Sequence, residues 1–255
     1  MKRYFTKTQR AEIKEKFETI GGKTDDLVIE FTRYPFTNEK ARQYACHGFS
    51  RRVQTLKRCV ENVFKAIPPS TAKVPVKTRL YDAGINLQAF VWNAHGCLDN
   101  LAWMWVHECG MAKDLSRRDV GLRSNHKRVR ASLSPEFRAY LEKLDDKWLA
   151  YLTEYRDALA HRIPLYVPPG GVPRKSVDAY NDLTLRMKEA MRLRKFAEWD
   201  ELSRQQDSML VFQPLMTHSV DETKAHFAFH AQLIADFLTI EEVGMKMLAE
   251  LRRAT

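Results

Sequence analysis

The sequence predicts an all-α protein, a bundle of four long helices with an insertion between the third and the fourth. Three observations carry this expectation. Apolar residues recur at spacings of three and four over several long stretches, the 255 residues contain only 10 Gly and 10 Pro, and charged residues reach 29%. A hydrophobic share of 44%, with 11% aromatic, is enough for one buried core, so residues 1–255 read as a single helical domain with 162–218 as an insertion within it.

A short helix is expected over 7–20, ended by Gly21-Gly22, and 27–34 reads as extended or irregular up to Pro35. Thr37 then has the character of an N-cap, with Glu39 in the first turn. The stripe Tyr44, Phe49, Val53, Leu56, Val60, Val63 and Phe64 carries the first long helix to Pro68-Pro69. The second long helix spans 79–109 and stops at Gly110. Asn93, Gly96 and Asn100 lie on a stripe away from its apolar face. A glycine inside a helix costs about 1 kcal/mol against alanine, so Gly96 points to a close helix approach, and Asn93 and Asn100 fit hydrogen bonding between helices. The third helix opens most clearly, with Ser134 at the cap, Pro135 at the first helical position and Glu136 after it; Pro164 stops it. Beyond 162 the pattern changes. Pro168-Pro169-Gly170-Gly171 is a break, 183–206 reads as one basic amphipathic helix, and 165–167 pairs with 210–212 as a hairpin closing the insertion. The fourth long helix opens on the capping box Ser219-Val220-Asp221-Glu222 and runs to about residue 251.

The 42 Lys and Arg exceed the 32 Asp and Glu by 10, and such a field attracts polyanions: RNA, DNA or an anionic membrane surface. The excess concentrates in the 113–130 connection, at Arg117, Arg118, Arg123, Lys127, Arg128 and Arg130. This run is either a solvated loop or a surface that tracks phosphates. Cys46, Cys59, Cys97 and Cys109 form no Cys-x-x-Cys pair and fall in apolar helical stretches, which suits reduced thiols in a cytosol. No apolar run follows the basic start, and the most apolar segment, 98–106, is broken by Asp99 and Asn100. A cytoplasmic protein without membrane contact is expected.

The motif with the most chemical content is Arg156-Asp157-Ala158-Leu159-Ala160-His161, in the last turns of the third helix. Asp157 sits where the helix dipole disfavours negative charge by a few tenths of a kcal/mol, so a compensating partner is expected. His161, four residues on, shares its face, and Arg156 and Arg162 are further partners. Arg42 and His47 share the Arg/His gap, but Gln43 follows Arg42. Here the sequence resembles the HEPN superfamily, marked by an arginine, a polar residue and, after a short gap, a histidine at the end of a bundle helix. The resemblance covers the four-helix arrangement and this one motif.

That resemblance implies a metal-independent endoribonuclease, with no cofactor, that leaves cyclic phosphate ends. His161 would act on the 2′-OH, Arg156 would grip the phosphate, and Asp157 would orient either one. Residues five apart stand about 140° apart around a helix, so Arg156 and His161 do not share a face. Family members dimerise with their motifs facing, which implies a homodimer with a composite site; Asn93 and Asn100 are supporting candidates. By the same analogy the biology is that of a toxin or defence factor, with an antitoxin or regulatory protein as partner. The other reading is a non-catalytic bundle that binds RNA, nucleotide or a protein. Metal chemistry is the remaining rival: His226 and His230, and His95 and Asp99, stand at i,i+4 spacing, but no Glu-x-x-His occurs. No P-loop, Gly-x-Gly-x-x-Gly or Gly-x-Ser-x-Gly is present.

Overall fold

Long helices account for most of the computed structural model, which describes residues 3–218 and 226–254. Helix α1 (Lys7–Arg33) starts at a capping box in which the Thr6 hydroxyl accepts from the Gln9 N–H and the Gln9 side chain accepts from the Thr6 N–H. It continues without a break through Gly21-Gly22 and over 27–33, where a helix end and an extended stretch were expected, and only Tyr34 is extended. The reason is packing: Ile20, Thr24, Leu27 and Phe31 prolong the buried stripe across the two glycines, and this burial outweighs their poor helix propensity.

The next helical run, 39–66, comprises α2 (Glu39–Gln43), a wide π turn at Tyr44–Phe49 and α3 (Ser50–Ala66). Its cap is Asn38, not Thr37. The Asn38 side chain accepts from the N–H groups of Lys40 and Ala41, while the Thr37 N–H and hydroxyl are held by Glu108. Helix α4 (Lys77–Glu108) is the longest and lies along α3, with α10 and α7 on its other sides; α1 packs on α3 and α10. After it come two short 3₁₀ turns, α5 (Lys127–Ser132), and a helical run over 135–161. That run comprises α6 (Pro135–Leu144), a π turn at Asp145–Leu149 and α7 (Ala150–His161). Ser134 caps it as expected, accepting from the Phe137 N–H, and donates its own N–H and O–H to Glu250 on α10 (Phe229–Ala254).

Residues 162–218 leave the main core and return. The stretch 183–206 is two helices, not one: α8 (Val177–Arg192) and α9 (Phe196–Ser208) turn about Arg194, whose φ is +54°. They share a small core of Leu183, Ala190 and Leu202, separate from the main one. The two arms of this excursion are antiparallel, but in a different register from the expected one. Tyr166 pairs with Thr217 and Gly171 with Val211, so 165–167 faces the neighbourhood of 217 instead of 210–212. Leu165, Val167, Phe212 and Met216 are drawn into the main core, and this selects the register. Strand β1 (Leu215–Met216) pairs with β2 (Phe227–Ala228), so α10 opens at Phe229. The capping box expected at 219–222 lies outside the described residues. Among the described residues, no helix is long and apolar enough to cross a membrane.

Candidate functional site

The inward face of α7 is set by Leu152, Tyr155 and Ala158, all buried, which turns Arg156 and Asp157 to the flank of the helix. The Nε of Arg156 lies 3.1 Å from Oδ1 of Asp157, but at an angle that leaves its N–H without a hydrogen bond. Asp157 therefore serves its neighbour. The expected bond from Asp157 to His161 is not formed; the guanidinium of Arg156 is the ion-pair partner of Asp157 among the described residues. His161, the last residue of α7, is exposed. Arg162 follows it, with Nη2 3.4 Å from the Glu154 carbonyl, and lines a groove with Asp157.

Arg156 forms one wall of a neighbouring cleft of about 310 Å³. The opposite wall is the basic connection, which places Arg117, Arg118 and Arg123 there. The shape of that connection has identifiable causes. Asp119 accepts from the N–H and hydroxyl of Ser116 and closes one turn. Arg130 donates through Nε to the Leu122 carbonyl and through Nη2 to Asp145, both at 2.7 Å. The run of basic residues expected to meet RNA thus divides. Arg117, Arg118 and Arg123 face the cleft, and Lys127 and Arg128 are exposed, with Arg128 donating to the Asp114 carbonyl. Arg130 is a correction: it is buried, and its guanidinium anchors the connection to the π turn of the third long run. Among the described residues, no carboxylate forms an ion pair with Arg117, Arg118 or Arg123.

The third wall is α4, which contributes His95 and Asp99; Nδ1 of His95 is 3.4 Å from Oδ2 of Asp99. The connection adds His126, which is 8% exposed. Its ring lies over Gly121 so closely that a Cβ there would come within 2.5 Å of it. Nδ1 of His126 is buried and has no hydrogen-bond partner. Burial, and next the charge of Arg123, lower the pKa of this imidazole below the ordinary histidine value.

Asn93 and Asn100 lie elsewhere, on the seam between α3 and α4. Arg52 donates to both side-chain oxygens at 3.0 Å, through Nη1 to Asn93 and Nε to Asn100. Its guanidinium occupies the space that a side chain at Gly96 would fill, so what Gly96 admits is the end of the Arg52 side chain and not a neighbouring helix backbone. Sequence reasoning missed Arg52 and His126. Nothing in the spacing of either marks it, since both depend on contacts between segments distant along the chain.

His226 precedes α10 instead of lying on it, so His226 and His230 do not share a helix face. His230 is fully buried, with Nε2 2.6 Å from the Ile67 carbonyl. Among the described residues, no group of three or more His, Cys, Asp or Glu is placed to hold a metal ion. Cys59 and Cys97 are buried, whereas Cys109 is exposed at the cap of α4 and not inside a helix. Burial pushes the Cys59 and Cys109 thiols up to about 11. No protein-family model, curated protein or solved structure matches the chain.

Proposed function

We propose that the chain is a metal-independent endoribonuclease of the HEPN type, a four-long-helix bundle carrying the 162–218 excursion, that works in the cytoplasm as a homodimer. The observation that carries this reading is the placement of Arg156 and His161. The Arg156 guanidinium lines a cleft with Arg117, Arg118 and Arg123, and five residues on, the same helix ends in an exposed imidazole on another face. Each half of the machinery is suited to meeting the other half from a second protomer. The imidazole of His161 takes the 2′-OH proton, and that oxygen attacks the adjacent phosphorus. The 5′ oxygen leaves with a proton from water, giving a 2′,3′-cyclic phosphate. Arg156 offsets the charge gained by the phosphate oxygens, and Arg117, Arg118 and Arg123 hold the flanking backbone. A toxin or defence role, held in check by an antitoxin or regulatory protein, fits such an activity.

A second reading is favoured by one observation. Asp157 is engaged by Arg156, and among the described residues no carboxylate orients His161. A non-catalytic bundle that binds RNA, nucleotide or a protein through the same arginines needs no such orientation. RNA incubated in EDTA with wild type, His161→Ala and Arg156→Ala separates the two. The enzyme reading expects wild type to cut and each variant to lose about a hundredfold or more in rate. Equal cleavage by all three proteins, or none by any, sinks it.

A further inference from the structure

The cleft between α4, the basic connection and the third long run holds more than the cleavage reading uses. Its walls carry four guanidinium groups, of Arg117, Arg118, Arg123 and Arg156, against the carboxylate of Asp99. Asp99 is itself turned toward His95. Arg117, Arg118 and Arg123 have no carboxylate partner among the described residues, and Arg156 lies 3.1 Å from Asp157, so the cleft keeps a positive balance, and a folded chain keeps such an arrangement when an anion occupies it. His126 provides the independent observation. It is more than nine-tenths buried, it lines this cleft, and its Nδ1 has no partner. An orphaned buried polar atom destabilises a fold, so a ligand that satisfies it is favoured. The His126 ring lies in the space that a side chain at Gly121 would fill.

We propose that this cleft is a phosphate site complete within one protomer, taking the phosphate of a nucleotide, either free or at an RNA end. The arginines neutralise the anion, and His126 in its Nδ1-protonated form donates to a phosphate oxygen. His95, held by Asp99, presents a second imidazole. The volume of about 310 Å³ accommodates a phosphate with part of its sugar and stands at the lower end of ordinary ligand sites. Burial and the charge of Arg123 disfavour the imidazolium of His126, and a phosphate beside it would favour the protonated ring. This proposal does not depend on RNA cleavage. The cleft does not include His161, so a protein that never cuts RNA would still bind phosphate here.

The test is calorimetric titration with inorganic phosphate, a nucleoside monophosphate, and a short RNA with and without a 5′-phosphate. The expected result is a dissociation constant below about 1 mM for at least one phosphate-bearing probe. Tighter binding of the 5′-phosphorylated RNA than of the unphosphorylated one identifies an RNA end as the source, and equal binding by the nucleotide identifies the free ligand. His126→Leu and Arg118→Gln should each weaken binding about tenfold. His126→Asn, which keeps a donor near the Nδ1 position, should restore most of it. His126→Leu should leave the melting temperature unchanged or higher, because it removes an unsatisfied buried atom. Absence of binding by every probe at millimolar concentration overturns the proposal, as does unchanged binding in both His126→Leu and Arg118→Gln.

Discussion

Asp236 on α10 is fully buried and accepts three hydrogen bonds, from Trp148 Nε1 at 2.8 Å, Gln232 Nε2 at 2.7 Å and Tyr151 Oη at 3.2 Å. Burial raises its pKa to about 6 even though those bonds pull it down. A carboxyl raised above its unfolded value of about 3.9 favours folding when protonated. Its stabilising contribution is complete below about pH 4 and is lost as the pH climbs through about 6, a change of about 3 kcal/mol. His230 on the same helix has the opposite sign. Burial lowers its pKa to about 4, so its contribution is present above about pH 6.5 and lost as the pH falls toward 4. The two offset each other in one window, and the wild-type curve should be nearly flat across it. Asp236→Asn removes one of them. Urea denaturation from pH 4 to 7 should show the variant losing stability on acidification more steeply than wild type. Parallel curves would contradict the assignment.

At the scale of elements, glycine has opposite meanings at different sites. A Cβ at Gly21 or Gly22 would meet nothing within 4 Å, so Gly21→Ala and Gly22→Ala should stabilise α1 by about 0.5 to 1 kcal/mol each. A Cβ at Gly96 would lie 2.5 Å from the Arg52 guanidinium carbon, and Gly96→Ala should cost about 1 to 3 kcal/mol by ejecting Arg52 from Asn93 and Asn100. Thermal melts of the three variants check both signs, and a stabilised Gly96→Ala or a destabilised Gly21→Ala would refute the reasoning. These positions also show what a linear reading can reach. The start at Ser134-Pro135 and the span of α4 were legible because caps, stops and apolar spacing are local signals. The continuation of α1 was not, because burial of Leu27 and Phe31 against other helices decides it. Arg156, Arg117, Arg118 and Arg123 were legible as basic residues, but Arg130 could not be told from them. Its commitment to Asp145 exists only once two segments meet, as does the pocket around His126.

For the whole molecule, part of the excess of 10 positive charges lines a cleft in which Arg117, Arg118 and Arg123 have no carboxylate partner among the described residues, while Arg156 lies beside Asp157. The α8–α9 excursion packs mainly on itself, leaving the Arg156 cleft and the exposed His161 to the helical body. The central claim is that Arg156 of one protomer and His161 of its partner act on one phosphodiester. Mixing the Arg156→Ala and His161→Ala proteins after reversible dissociation tests this most directly. Random reassortment makes half the dimers mixed, and each mixed dimer holds one site with both groups intact, so RNA cleavage should return to about one quarter of the wild-type rate. A mixture as inactive as either variant alone, beside an active wild type, would contradict the composite site.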